Sequence, residues 1–442
     1  MKRFLIAGMT AIALTALLLG GCNLGSTTGT GGSGTRPATT QSSLPSVGVA
    51  PMLGFMPSAG ATFDTGLIGV GAAIPDAGGS GLPAVVVPLG GTQWRTVKLG
   101  VFPGVAVGAA EMGHTQVVVG MSSPPSGPQV PFVATSADGG DFAVQQLAQM
   151  FGGRSARMIG VVLTGELTDP SSVLVAAGIM QRTNTAQLGT VAGTDSFAMV
   201  SSDQGKTWTQ FQTLPLPKGV VGAEAIAVAR SPHSTPYPGV LVAGRGWTTD
   251  KKANPNGREV LILWGSLDSG KNWRVVHDPS FADAKLDLVP DCVAADNSNV
   301  VIVGTSVATG KTGARQQTVS WTADSSGTWS RGGDSTTLPA TKSSAPTALL
   351  ALADGGFLIA RQVYDTGSAP FADGKLGTGK PKAEVAQYPD GGNGHDVSAQ
   401  IPNFSTGAVV TGIAEFGSRL AFFGLDQAGN AQVWVADGTN VR

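Results

Sequence analysis

The apolar residues of this chain fall in short runs, each cut off by a turn residue. Val117–Gly120, Val173–Gly178, Val240–Gly244, Val300–Gly304 and Leu420–Gly424 are rich in Val, Ala, Ile and Leu and are bounded by Gly, Pro, Asn or Asp. Runs of this length between turn residues predict strands. Beyond the N-terminal segment no stretch keeps a helical period. Each run is preceded by a small-residue segment and followed by another apolar segment that ends in a polar turn. The clearest unit reads Ala223–Ala229, Val240–Gly244, Glu259–Gly265 and Trp273–His277, four strands (a to d) in succession. Four-stranded units recurring along a chain predict the blades of a propeller.

A second periodicity lies in the polar turns. Ser201-Ser202-Asp203-Gln204-Gly205-Lys206-Thr207-Trp208 returns 65 residues later as Ser266-Leu267-Asp268-Ser269-Gly270-Lys271-Asn272-Trp273. Weaker copies keep part of the pattern: Ser136-Ala137-Asp138-Gly139, Asp324 with Trp329, Asp390 with Gly392, Gly91 with Trp94, and Trp434 to Asp437 at the C-terminus. The residue types suit a hairpin. Ser closes a strand, the Asp carboxylate accepts N–H groups of the following turn, and Gly supplies a left-handed conformation. Trp begins the next strand, where its ring can wedge between sheets.

These residues resemble the Asp-box (BNR) repeat, S/T-x-D-x-G-x-x-W, of sialidases, some other glycoside hydrolases, the sortilin luminal domain and a photosystem II assembly factor. The resemblance implies a β-propeller whose boxes lie at outer c–d turns, away from the ligand face. Ser201, Asp203, Gly205, Trp208, Ser266, Asp268, Gly270 and Trp273 are then structural. The repeat occurs with unrelated activities, so the fold alone does not assign one.

The expected fold is all-β: a seven-bladed propeller of four-stranded antiparallel blades. Six or eight blades are the alternatives, because the first unit is the least regular. The last unit has strands a to c (Val409–Gly412, Leu420–Gly424, Gln432–Ala436) and no room for a fourth. Ser46–Leu53 is expected to supply it, closing the ring by pairing N- and C-terminal strands and removing two exposed edges.

The N-terminus reads as a targeting segment. Lys2 and Arg3 precede the apolar stretch Phe4–Leu19, and Leu19-Gly20-Gly21-Cys22 resembles a bacterial lipobox. That resemblance implies lipidation of Cys22. More than one acyl chain, at about 0.8 kcal/mol per buried CH₂, would anchor the protein stably. The division is therefore 1–21 signal peptide, 22–45 Gly/Ser/Thr-rich tether and 46–442 a single propeller domain. The expected location is the bacterial cell envelope, outside the cytoplasm, with a monomeric domain. A lipidated Cys22 leaves Cys292 as the sole thiol, expected to be buried among Val293, Ala294 and Ala295.

Composition agrees with this picture. Gly numbers 64 of 442 residues, about twice the usual share, as many tight turns require. Charged residues are 13%, about half the usual share, so most strand faces must be buried. The net charge of −1 conceals an uneven distribution. The long loops on the b–c and d–a face carry most of the basic residues. From that region Arg182, Arg245, Trp247, Lys251, Lys252, Arg258, Arg315 and Lys380 are candidates for contacting a ligand or partner. Dispersed basic residues on an exported chain argue against nucleic acid.

Candidate chemistry is sparse. The four histidines (His114, His233, His277 and His395) show no zinc spacing, and no cofactor or metal is expected. Gly265 to Asn272 mimics a phosphate-binding loop, but Asn replaces its Ser/Thr and no helix follows. The sialidase set of three arginines, a Tyr–Glu pair and an acid/base Asp is not legible, with only Tyr237, Tyr364 and Tyr388 available. Glycosidases need two facing carboxylates, for which Glu224 and Asp291, each near an inner strand, are the candidates. The main expectation is a non-catalytic, membrane-tethered propeller that binds a cell-envelope protein or glycan on the b–c/d–a face. The alternative is a sialidase-like surface glycoside hydrolase.

Overall fold

The computed structural model describes residues 45–441 except 53, 65, 76–78, 166–168, 170, 183–192, 232–238, 249–257, 284–285, 296–298, 311–312, 325, 334–341, 353–355, 366–381, 389–393 and 406. Cys22, Lys251, Lys252, Lys380, Tyr237 and the turn at Asp390 to Gly392 lie outside the described residues, as do the side chains of Arg258 and Arg315.

Twenty-eight strands form seven four-stranded antiparallel sheets. Blade 1 holds β2–β5 (Phe55–Lys98), blade 2 β6–β9 (Gly104–Gln146) and blade 3 β10–β13 (Ala156–Thr213). Blade 4 holds β14 (Val220–Ser231), β15 (Gly239–Thr248), β16 (Arg258–Ser266) and β17 (Arg274–Val276). Blade 5 holds β18 (Asp287–Ala295), β19 (Val300–Gly310), β20 (Gly313–Ala323) and β21 (Trp329–Gly333), and blade 6 β22–β25 (Lys342–Asp396). In blade 7, β26 (Val409–Phe416), β27 (Arg419–Leu425) and β28 (Ala431–Asp437) are completed by β1 (Gly48–Pro51). The closing strand pairs antiparallel with β28, Gly48 facing Val435 and Pro51 facing Gln432. The expected closure is therefore present, and the blade count is seven.

The core lies in the seams between blades. One buried cluster joins Val117 and Val133 of blade 2 to Val161, Leu174 and Phe197 of blade 3, and the next joins blade 3 to blade 4 through Val175, Ile179, Val242 and Trp264. Both faces of each sheet are thus covered, which is why the runs read as continuously apolar rather than alternating.

The two clear Asp boxes occupy the c–d turns of blades 3 and 4 with matching geometry. Ser201 Oγ–H donates to Asp203 Oδ1 at 2.9 Å, Gly205 N–H donates to Ser201 Oγ at 2.9 Å, and Thr207 N–H donates to Asp203 Oδ1 at 2.8 Å. The corresponding distances around Ser266 and Asp268 are 2.9, 2.8 and 2.8 Å. Trp208 and Trp273 each donate Nε1–H to the box glycine carbonyl at 3.1 Å. Both rings are half-buried and precede the fourth strand instead of beginning it. Gly205 and Gly270 have φ of 83° and 85°. They also abut the preceding blade: a Cβ at Gly205 would lie 3.1 Å from Thr135 and Val117, and one at Gly270 3.0 Å from Val175 and Val200. The box is a staple between neighbouring blades. Trp434 departs from expectation: it lies fully buried inside β28, not in a turn, while Asp437 begins the turn after it by accepting the Thr439 N–H.

Candidate functional site

Every inner strand carries a register shift near its middle, and that of blade 4 carries a second at Val221. The residue skipped by the pairing is Ser58, Val107, Ile159, Ile226, Asp291, Thr347 or Thr411 in blades 1 to 7. A bulge of this kind re-aims side chains and sharpens the local twist. Opposite it, on the second strand, six blades carry glycine: Gly71, Gly120, Gly178, Gly244, Gly304 and Gly424. These include the glycines that end the five apolar runs. A Cβ at any of them would come within 2.0–2.5 Å of an inner-strand carbonyl. Phe132, Phe197 and Trp264 fill the space over Gly120, Gly178 and Gly244. Blade 6 is the exception. There Arg361 faces Pro346, and its buried guanidinium pairs with Glu384.

Two residues before the bulge, five blades place Met56, Val105, Val289, Ala345 and Val409, while blades 3 and 4 place Arg157 and Glu224. With Asp291 at the bulge of blade 5, the inner strands of blades 3, 4 and 5 form a charged wedge in a largely apolar ring. Arg157 and Glu224 lie in the half of their strands nearest the b–c and d–a loops, and Asp291 lies at the middle of its strand.

Arg245, on β15 opposite Glu224, organises the wedge. Its Nε and Nη2 donate to Glu224 Oε2 at 3.0 and 2.7 Å, and its Nη1 donates to Glu259 Oε1 at 3.2 Å. The Glu259 N–H donates in turn to Asp287 Oδ1 at 3.1 Å. Burial alone would lower the Arg245 pKa, but Glu224, Glu259 and Asp291 outweigh it and raise the value. Burial raises Glu259, with Asp287 and Glu224 adding to the effect and Arg245 opposing it. Asp291 is pushed up to about 7 by the protein packed around its carboxyl, with Glu259 adding. The Thr305 hydroxyl, donating to Asp291 Oδ2 at 2.8 Å, and Arg245 offset part of that rise. Arg157 is brought down to about 10 by burial, which Glu224 opposes and Arg245 reinforces. Its Nε is buried with no hydrogen-bond partner among the described residues.

The structure therefore brings together Glu224, Asp291 and Arg245 from the sequence-derived candidates. Trp247 lies half-buried two residues along β15 from Arg245, across from Glu259. Arg182 stands apart, paired with Asp195 at 2.7 Å and donating to the Val221 carbonyl of blade 4, so it ties two blades together. Arg182 and Arg245 are thus both ion-paired, each with about a third of its side chain exposed. Arg157 and Glu259 were missed as site residues. Their only sequence signal is a charge at the head of an apolar strand, the inner one for Arg157 and the third for Glu259.

Tyr364 is buried and donates its hydroxyl to Gln362. One further expectation changes. Cys292 is buried as expected but disulfide-bonded, not a lone thiol.

No known family profile and no curated relative matches the chain. Among solved structures it is similar to a Trypanosoma rangeli sialidase in complex with sialic acid, at 12% identity and a TM-score of 0.47, over 89% of this chain and 59% of that one. It is also similar to the NanB sialidase of Streptococcus pneumoniae, at 10% and 0.43, over 75% and 68%. A Fusarium graminearum GH93 α-L-arabinofuranosidase in complex with arabinobiose matches at 14% and 0.44, over 77% and 96%. The chain thus spans about three-fifths of the first of these. At such identities the likeness concerns the propeller fold.

Proposed function

We propose that this protein is a glycoside hydrolase whose reaction takes place at the charged wedge of blades 3, 4 and 5. The observation that carries the reading is Asp291, held up to about 7, sharing the influence of Arg245 with the ion-paired Glu224. Glycoside cleavage needs one carboxyl that still holds a proton near neutrality and a second that is ionised. Asp291 is the general acid that protonates the leaving oxygen. Glu224 is the second carboxylate, oriented by Arg245, and Glu259 holds Arg245 from its other side. Arg157, with its unpartnered Nε, is a donor to the bound sugar.

A panel of fluorogenic glycosides tests this. Turnover abolished by Asp291→Asn and Glu224→Gln in folded protein is the expected result. Glycan or protein binding without turnover of any glycoside would instead support a non-catalytic propeller that recognises its ligand on this face. The favouring observation for that second reading is that Glu224 and Glu259 already occupy Arg245.

The Leu19-Gly20-Gly21-Cys22 sequence supports anchoring to the cell envelope through a lipid on Cys22. Mass spectrometry of the purified protein tests this. An acylated Cys22 supports the anchor, and a Cys22–Cys292 peptide excludes it.

A further inference from the structure

The closing strand fixes where an N-terminal tether must leave the ring. β1 runs antiparallel to β28, so its first residue, Gly48, lies at the c–d end of blade 7 and its last, Pro51, at the b–c end. Just before it, Pro45 bridges Gly91 and the Ser46 N–H donates to the Gly91 carbonyl at 2.9 Å. Gly91 lies in the c–d turn of blade 1, between β4 (Leu82–Gly90) and β5 (Gln93–Lys98). The chain therefore departs on the Asp-box face, at the outer rim, at the seam of blades 7 and 1. The exit is flanked by exposed apolar side chains: Val47 is 43% and Leu89 57% exposed.

The charged wedge lies at the other pole in two senses. Arg245 is six residues along β15 from Gly239 at its box-face end, about 20 Å at ~3.3 Å per residue. In a ring of seven, the blade facing the seam between blades 7 and 1 is blade 4, which carries Glu224 and Arg245. Cys22 is separated from Pro45 by 22 residues rich in Gly, Ser and Thr, and Gly/Ser linkers of that length in general span about 26 Å on average. That length does not carry blade 4 around to the membrane without stretching the tether.

We infer that the anchored protein presents its wedge away from its own membrane, with Val47, Leu89 and the box face of blades 7 and 1 nearest the lipid. The inference rests on the proposed lipid at Cys22. Its consequence is a substrate class: glycans arriving from solution or from surrounding polymer, not the head groups of the membrane that carries the protein.

The test uses full-length lipidated protein in vesicles that hold a head-group quencher. Leu89→Cys and Lys218→Cys place an environment-sensitive label at either pole, Lys218 being exposed in the loop leading into blade 4, while Cys292 is buried beyond the label's reach. Quenching at residue 89 at least about threefold stronger than at 218 is expected, and the difference shrinks when the tether is doubled. Equal or stronger quenching at 218 in vesicle-bound protein overturns the orientation alone. Protein that does not float with vesicles, like a Cys22→Ala control, overturns the anchor and the orientation with it.

Discussion

Arg245 donates two hydrogen bonds to a single oxygen of Glu224, at 2.7 and 3.0 Å, directly across the inner pair of strands of blade 4. The Glu224 side chain is only 7% exposed and that of Arg245 30%. Removing the arginine would leave a nearly buried carboxylate without its counter-charge. Breaking a buried pair costs about 3–5 kcal/mol, and the partial exposure of Arg245 reduces this to about 2–3 kcal/mol. Arg245→Met should therefore unfold at lower urea concentration. It should also move the alkaline limb of any glycosidase profile to higher pH, because Arg245 lowers the Asp291 pKa.

Asp291 predicts an unusual pH dependence of stability. Its folded pKa, about 7, lies above the ordinary 3.8. Between those values the folded state holds a proton that the unfolded chain has released, so stability falls as pH rises from about 4 to 7 and then levels off. At ~1.4 kcal/mol for each tenfold change in proton affinity, the effect reaches a few kcal/mol. Asp291→Asn should flatten this slope in thermal melts and raise the midpoint above pH 7. A slope unchanged in the variant would show that another group titrates there.

The box aspartates titrate in the opposite sense. Burial would raise Asp203 and Asp268, but the bonds from Thr207 and Ser201, and from Asn272 and Ser266, outweigh it and hold both below the ordinary value. Their contribution is present above about pH 4 and lost as pH falls through the folded values. Asp203→Ala or Asp268→Ala should each cost about 1 kcal/mol, as loss of a comparable cap does. Neither should change substrate binding, since the boxes lie on the far face. A shift in KM in either variant would contradict that separation.

Gly244 and Arg361 test the bulge. An added Cβ at Gly244 would lie 2.5 Å from the Glu224 carbonyl, closer than packing allows. Gly244→Ala should destabilise the protein by about 1–3 kcal/mol, the usual penalty for overpacking, and displace Glu224. In blade 6 the same position holds Arg361, whose loss strands the buried Glu384. Arg361→Gly should thus restore the pattern of the other blades yet lower stability, by about 3–5 kcal/mol in chemical denaturation.

Much of the architecture could be read from local chemistry. Strand period, turn residues and the box each act within a few neighbouring positions, so the blades, the c–d turns and the need for a closing strand at residues 46–53 follow from sequence order. The glycines ending the apolar runs were visible too, but their reason was not. They make room for a bulge on a partner strand, and pairing register is not written in either strand alone. Arg361 shows the converse, an apolar run that lacks its glycine, with a meaning that appears only once Glu384 faces it.

The charged wedge belongs to the tertiary structure entirely. Arg157, Glu224 and Asp291 lie on three different blades, and Glu259 reaches Arg245 from a third strand. Sequence alone determined that the chain builds a ring of four-stranded units, because that depends on periodicities shorter than one blade, while the count of seven among six, seven or eight came from the structure. Only the closed ring decided which charges meet, because seam packing and the bulges set the angle and height at which each inner strand delivers its side chains to the mouth.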